Sequence, residues 1–182
     1  MKILITGNMG YVGPGLLERL RLSMPDAFLA GIDTGYFAHC LTGVSVFPED
    51  RLDVQYFADL RKPPQDLLEG VDVIVHLAAI SNDPMGDRFK EVTNDITFQA
   101  SIELAKKAKA AACSRFVFAS SCSVYGCAEG EARNEQAPLN PLTAYAKSKI
   151  GMEEELNKLA GENFVVTCLR FATACGASDR LR

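Results

Sequence analysis

The chain has 182 residues, of which 48% are apolar and 23% are charged, and its formal net charge is −4. These values are typical of one globular domain, and the acidic balance argues against a general nucleic-acid surface. No stretch approaches the roughly 18 apolar residues of a membrane span, and the apolar run at the N-terminus is too short for a signal peptide. We therefore expect a cytoplasmic protein that binds neither nucleic acid nor membrane.

Short apolar runs alternate with longer amphipathic stretches along the chain. Six apolar runs predict β-strands, at residues 2–6, 27–33, 53–60, 71–79, 115–121 and 164–171. Helical spacing of apolar residues predicts helices at residues 11–23, 94–112 and 142–160. The fourth and fifth strands are apolar through their centres, which suits a parallel sheet buried on both faces. The alternation predicts the α/β class, as a Rossmann-type, doubly wound parallel sheet with helices on both faces.

The sequence TGNMGYVG, residues 6–13, links the first strand to the first helix. Gly7, Gly10 and Gly13 allow a tight turn and a close approach of the backbone to a pyrophosphate. The helix N-terminus that follows favours an anion. A glycine triplet alone is a weak signal, but the strand before it and the helix after it are the context of a dinucleotide site. The alternative is a turn that binds no ligand.

Asp33 follows Gly13 by about 20 residues, at the end of the second predicted strand. A carboxylate at this place and spacing accepts hydrogen bonds from an adenosine ribose. It would repel the 2′-phosphate of NADP, and no basic residue follows it before Arg51. The sequence therefore predicts NAD as the cofactor. The alternative is that Asp33 only caps a helix and binds no ligand.

Six cysteines and two histidines are the residues most able to bind a metal. The cysteines form no C-x-x-C pair, and His39 and His76 are too few for a typical zinc site. The sequence therefore predicts no metal centre, and it predicts cysteines that are reduced and buried.

The sequence TAYAKSK places Tyr145 and Lys149 one turn apart on one face of the last predicted helix. An ammonium group beside a phenol lowers the pKa of the phenol, whose ordinary value is about 10. A tyrosine tuned in this way can take a proton from an alcohol while hydride leaves the same carbon. Taken alone, the pattern is short and common, and an ordinary helix with an exposed lysine explains it better.

Five motifs in a fixed order change that judgement. They are TGNMGYVG, ADL at 58–60, HLAA at 76–79, SSCSVYG at 120–126 and YAKSK at 145–149. Together they resemble the extended short-chain dehydrogenase/reductase family, and within it the nucleotide-sugar epimerases and dehydratases. The resemblance covers the whole chain. It implies an enzyme with NAD as cofactor, a nucleotide-sugar as substrate and a homodimer built through helices 94–112 and 142–160. The alternative for the alanines of these helices is burial against the sheet.

The resemblance also implies roles for individual residues. Tyr145 would be the base, Lys149 would tune it and bind the nicotinamide ribose, and Ser121 would hydrogen-bond the reacting hydroxyl. Ser123 is the second candidate for that serine. The residues expected to bind the cofactor, with Asp59 and Leu60 beside the adenine, are Gly7, Met9, Gly10, Tyr11, Val12, Gly13, Asp33, Asp59, Leu60, Leu77, Ala78, Ala79, Asn94, Tyr145 and Lys149. His76 is more typical of a satisfied residue at a strand end than of a catalyst.

Among reactions of this family, we expect an epimerase. Tyr145 would deprotonate a ring hydroxyl, and hydride would move to NAD and return to the opposite face of the keto-sugar. A dehydratase is less favoured, because Cys122 and Ser123 stand where such relatives often place Asp and Glu. The sequence leaves open a reductase of the same family and a non-catalytic NAD-sensing module.

Members of this family carry a further C-terminal part that closes over the nucleotide-sugar. We therefore expect residues 1–182 to be one NAD-binding domain, a fragment of a longer two-domain enzyme. Alone, this domain is expected to bind NAD but to turn over little.

Overall fold

A computed structural model of the chain describes residues 1–80, 90–127 and 132–181. Within these residues, six strands form one sheet: β1 (Lys2–Thr6), β2 (Phe28–Asp33), β3 (Val54–Phe57), β4 (Val73–His76), β5 (Arg115–Ser121) and β6 (Val165–Phe171). The helices of the same residues are α1 (Gly13–Ser23), α2 (Lys90–Asn94), α3 (Ala100–Ala110) and α4 (Ala144–Leu159). A π-helical turn, Asp95–Gln99, joins α2 to α3, and 3-10 turns lie at Pro48–Arg51 and Cys122–Tyr125.

Neighbouring strands are all parallel, in the order β3-β2-β1-β4-β5-β6. This is the order of the doubly wound dinucleotide-binding fold, so the predicted fold class is confirmed. The order reverses between β1 and β4, and in open sheets of this kind ligands bind beyond the carboxyl ends of the strands at such a point. Thr6 and His76 are paired in register at this edge. The segments that follow β1 and β4 therefore meet there.

Both faces of the sheet are covered, because successive side chains of a strand point to opposite faces. Ile3 and Ile5 of β1 pack with Leu17 of α1 on one face. Leu4 belongs to the larger core cluster on the other face, where β4 and β5 pack against α3 and α4. Phe118 of β5 is fully buried in that cluster, close to the carboxyl edge.

The observed bounds differ from the predicted ones mainly at the carboxyl edge. Strands β1 and β5 coincide with the predictions, but β3 ends at Phe57 rather than at residue 60, and β4 ends at His76 rather than at residue 79. The residues beyond these two ends do not continue the strands. Before α3, the chain is already helical at Lys90, the first described residue of that segment, whereas the prediction placed the start at residue 94.

The prediction of buried cysteines is wrong for most of the six. All are free thiols, and Cys113 is buried, whereas Cys122, Cys127 and Cys175 are exposed. Cys122 and Cys127 follow β5, and Cys175 follows β6. Apolar character alone does not bury a residue that follows the end of a strand.

Alanines of α3 could either form a dimer contact or be buried against the sheet, and the structure shows burial within the chain. Ala105 and Ala108 are buried in the larger core cluster together with Met152 and Leu156 of α4. The two helices therefore use these small residues to approach each other and the sheet. A dimer through the same helices stays a prediction. Among the described helices, none has the length and apolar character needed to cross a membrane.

Candidate active site at the carboxyl edge of the sheet

The loop between β1 and α1 is packed directly onto the backbone around it. Gly7 has a φ of 72°, and a Cβ there would lie 2.6 Å from the Ala78 nitrogen, just beyond β4. A Cβ on Gly13 would lie 1.8 Å from the Asn8 carbonyl oxygen. Glycine is therefore required at both positions by the loop itself. The result is a shallow backbone cradle at the point where a pyrophosphate would bind.

Helix α1 begins in this loop without a side-chain cap. Val12 is its N-cap residue and makes no capping hydrogen bond, and it is exposed. Pro14 occupies the first turn, where its missing N–H had no partner within the helix. The remaining amides of the first turn and the helix dipole favour an anion at this end.

Asp33, at the end of β2, is tied to the same loop. Its Oδ2 accepts a 3.1 Å hydrogen bond from the Met9 backbone N–H, and its Oδ1 accepts one of 2.9 Å from Gly35. Each carboxylate oxygen has a second lone pair, which suits a ribose hydroxyl. The structure thus brings the predicted carboxylate to the glycine loop.

Asp59 follows β3 and is held by an arginine that sequence reasoning did not single out. Arg61 donates from Nε and Nη2 to both oxygens of Asp59, with a shortest distance of 2.6 Å. This hydrogen-bonded pairing lowers the pKa of the Asp59 carboxyl below its ordinary value. The neighbouring Leu60 packs against the larger core cluster. The only signal in the sequence was an arginine two residues after the aspartate.

His76 is a satisfied internal residue, as predicted. Thr6 Oγ1 accepts from the Ala78 N–H at 3.3 Å and lies 2.7 Å from His76 Nδ1, which accepts the hydroxyl proton when Nε2 carries the ring proton. Ser101 donates to the Ile96 carbonyl, so it accepts from His76 Nε2–H at 2.7 Å. Burial lowers the pKa of His76 to about 3, and the charge of Lys149 acts in the same direction. The imidazole is therefore neutral and joins the end of β1 to the first turn of α3.

Tyr145 and Lys149 lie together in the first half of α4, as predicted. Thr143 caps this helix by accepting from the Ala146 N–H at 3.1 Å. Lys149 Nζ lies 5.3 Å from the centroid of the Tyr145 ring and 4.6 Å from that of Phe118, and it donates to the Ala119 carbonyl at 2.7 Å. Lys149 is only 2% exposed. The ordinary explanation, a helix with an exposed lysine, is therefore wrong.

Burial also changes the acid–base behaviour of this lysine. Desolvation lowers the pKa of Lys149 to about 7, while the negative charge of Glu153 raises it. The two aromatic rings offset part of the desolvation, because a cation is attracted to a ring face. Lys149 therefore titrates near neutral pH instead of carrying a permanent charge.

Ser121 is the last residue of β5, two residues beyond the carbonyl that Lys149 binds, and Ser123 lies in the 3-10 turn that follows. The Ser123 hydroxyl donates to Ser121 Oγ at 2.9 Å, and the Ser123 N–H donates to the same oxygen at 3.2 Å. Ser121 thereby caps the short 3-10 turn that carries Ser123. Both candidate serines are part-buried at one strand end with the lysine.

The remaining predicted residues lie around the same edge. Leu77 and Ala78 are fixed to Thr6 by their N–H groups, so the segment 77–79 passes beside the glycine loop. Asn94 is exposed and is the last residue of α2, directly before the π-helical turn. Tyr11 donates from its hydroxyl to the Gly176 carbonyl at 2.6 Å.

Two buried ion pairs near this edge were missed by sequence reasoning. Glu153 of α4 pairs with Arg170 of β6, at 2.6 Å. Arg180, 1% exposed, pairs with Glu49 at 2.6 Å and holds the segment 176–181 against the loop after β2. Their partners lie far apart in the sequence, so spacing gave no signal. Within residues 1–80, 90–127 and 132–181, no group of three or more His, Cys, Asp or Glu side chains is placed to hold a metal ion.

A family model described as "NAD dependent epimerase/dehydratase family" matches residues 3–182. The chain is 33% identical over 189 residues to a protein of Bacillus subtilis (strain 168) described as "Uncharacterized UDP-glucose epimerase YtcB". It is 28% identical over 187 residues to the UDP-glucose 4-epimerase of Lactobacillus helveticus. These matches cover 99% and 98% of this chain but 58% and 53% of the two relatives. The chain thus spans little more than half their length.

Two solved structures also match nearly the whole of this chain but little more than half of their own length. MoeE5, in complex with UDP-glucose and NAD, matches with a TM-score of 0.81 and 27% identity, over 99% of this chain and 57% of that one. The UDP-glucuronic acid 4-epimerase from Bacillus cereus, in complex with NAD, matches with a TM-score of 0.79 and 25% identity, over 99% and 58%.

Proposed function

The chain belongs to the NAD-dependent epimerase/dehydratase family, and on that premise we propose that it is the cofactor-binding and catalytic part of a nucleotide-sugar epimerase. The observation that carries the proposal is the burial of Lys149 beside the Tyr145 and Phe118 rings, close to the end of β5 and the turn that carry Ser121 and Ser123. Burying a lysine is costly, and perturbed ionisable groups in a crevice are typical of functional sites.

The residues at the carboxyl edge fit a dinucleotide. Gly7, Gly10 and Gly13 would hold the pyrophosphate against the N-terminus of α1, and Asp33 would bind the adenosine ribose. Asp59 and Leu60 would lie beside the adenine, Leu77, Ala78 and Ala79 would line the cofactor, and Lys149 would bind the nicotinamide ribose. Asp33 disfavours the extra phosphate of NADP. When bound, NAD supplies the acceptor and then the donor of hydride at a sugar carbon.

The chain itself supplies the proton chemistry. The Lys149 ammonium favours the ionised form of Tyr145, which then takes the proton of a sugar hydroxyl. Ser121 Oγ accepts from the Ser123 hydroxyl, so its own proton is directed elsewhere and can be donated to the sugar oxygen. This arrangement favours Ser121 as the substrate-binding serine and gives Ser123 the role of orienting it.

Epimerisation is favoured over dehydration by the turn after β5. Elimination of water needs an additional acid and base close to the reacting carbons. The two residues that follow Ser121 are Cys122, whose side chain is exposed, and Ser123, whose hydroxyl is bound to Ser121. Neither provides a carboxyl group.

The test has two parts. Titration calorimetry of the chain with NAD should give a saturable heat, and Tyr145→Phe should still bind NAD. In the full-length protein, NMR of a panel of UDP-sugars should show interconversion of two epimers, and Tyr145→Phe should slow it by at least about 100-fold. An absence of heat at millimolar NAD would contradict the cofactor assignment. Unchanged turnover in Tyr145→Phe would contradict the assignment of the base.

A further inference from the structure

We propose that Glu153 and Arg170 are positioning residues for the candidate catalytic pair. The Glu153 carboxylate holds Lys149 as the charged partner of Tyr145, and Arg170 ties this carboxylate to the turn that carries Ser123. The inference deepens the proposed function, on which it rests. Neither residue is expected to touch substrate or cofactor; both act through Lys149 and the serine turn.

Glu153 lies one helical turn after Lys149 on the same face of α4, and it is 6% exposed. A buried carboxylate is stable only when donors satisfy it. The Ser120 hydroxyl at the end of β5 donates to Oε1. Arg170 of β6 donates from Nε to both oxygens, at 3.1 and 3.2 Å, and from Nη2 to Oε2 at 2.6 Å. The carboxylate thus joins α4 to two strands.

Arg170 carries the connection one step further. Its Nη1 donates to the Tyr125 hydroxyl at 2.8 Å, and its guanidinium carbon lies 5.2 Å from the centroid of the Tyr125 ring. Tyr125 ends the 3-10 turn that contains Ser123. The pair therefore links every element that carries a candidate catalytic side chain: α4 with Tyr145 and Lys149, the end of β5, and the turn after it.

The charges around Lys149 explain why the carboxylate is needed. Tyr145 and Glu153 face it from α4, His76 from β4 and the Ala119 carbonyl from β5, while Arg170 approaches from β6 behind Glu153. His76 is neutral, because burial lowers its pKa to about 3. Glu153 is therefore the anion that raises the pKa of Lys149 against the effect of burial.

The experiment is a pH titration of Lys149 by NMR in protein labelled with 13C at the lysine ε-carbon. The signal is assigned by its loss in Lys149→Met, and no cofactor or substrate is added. Glu153→Gln keeps the shape of the side chain but removes its charge, so the pKa of Lys149 should fall by about one pH unit or more. Glu154→Gln, at the exposed neighbouring position, should leave it unchanged. Equal titration of Lys149 in both variants would overturn the proposal.

A second variant covers the case in which Glu153→Gln does not fold. Glu153→Gln combined with Arg170→Met removes both charges and leaves no unpaired ion. The proposal expects this protein to fold, to bind NAD and still to titrate Lys149 at lower pH than the wild type, whereas a purely structural pair predicts an unchanged titration.

In the full-length protein, the Glu153→Gln profile of kcat against pH should shift with KM little changed, because a less charged Lys149 raises the pKa of Tyr145. The titration is read without turnover, so it can fail or succeed independently of the proposed reaction.

Discussion

Lys149 lies with its ammonium nitrogen 4.6 Å from the centroid of the Phe118 ring and is almost completely removed from water. The position costs stability, because the charged form of a lysine is poorly solvated inside a protein. The same burial makes the group responsive to its neighbours near neutral pH. A protein that keeps such a residue loses folding free energy and gains an ionisable group whose pKa its neighbours can adjust.

We expect Lys149→Met to stabilise the fold. The pKa of Lys149 falls from its ordinary 10.5 to about 7 in the folded chain, and each unit corresponds to about 1.4 kcal/mol. Below pH 7 the lysine is charged in both the folded and the unfolded chain, so folding bears the whole cost of burying the charge. This cost shrinks between about pH 7 and 10.5, where the folded lysine is neutral and the unfolded one still binds its proton.

Urea unfolding at pH 6.5 and at pH 10 measures this difference. At the lower pH the gain from Lys149→Met should be a few kcal/mol, and it should be clearly smaller at pH 10. Lys147→Met, an exposed position on the same helix, should change the free energy of unfolding by less than about 0.5 kcal/mol at either pH. A wild-type protein that is more stable than Lys149→Met at pH 6.5 would contradict the account of its burial.

The sheet and the glycine loop were predictable because their signals are local. The apolar runs gave β1 and β5 to the residue, and Gly7 and Gly13 marked positions that no other residue fits. The strand ends were less predictable. Apolar residues such as Leu60 and Leu77 continue the pattern of a strand, yet they lie beyond the ends of β3 and β4.

The electrostatic part of the site was beyond sequence reasoning. Spacing placed Tyr145 and Lys149 on one helical face, but the burial of that face depends on Phe118, which comes from another element. Glu153 is buried and Arg170 is partly buried only because α4 packs beside β6. Such pairs are created by tertiary packing, and neither residue type nor spacing indicates them.

Replacing Gly7 should disable the loop, since Gly7→Ala puts a Cβ 2.6 Å from the Ala78 nitrogen at a φ that disfavours side chains. We expect a loss of about 1–3 kcal/mol in the free energy of unfolding and a loss of NAD affinity of at least tenfold. Urea unfolding and titration calorimetry with NAD measure the two effects.

Gly15→Ala is the matched control for this loop. A Cβ at Gly15 meets open space within helix α1. The variant should therefore gain about 0.5–1 kcal/mol from reduced backbone freedom while keeping its NAD affinity. If Gly7→Ala behaved like Gly15→Ala in both measurements, the tight packing of the loop would not be what the cofactor site depends on.

Arg180 should be essential for holding the segment 176–181 beside the glycine loop. It is 1% exposed and donates to both oxygens of Glu49, at 2.6 and 3.2 Å. Arg180→Met leaves the Glu49 carboxylate in a mostly buried place without its cation, so the free energy of unfolding should fall by about 3–5 kcal/mol. In urea unfolding, Arg180→Met combined with Glu49→Leu should recover most of this loss, because no uncompensated charge remains.

Lys106→Met, which breaks the exposed pair with Glu103, should cost less than about 1 kcal/mol. A cost for Arg180→Met as small as that of Lys106→Met would mean that the buried pair does not hold the segment in place.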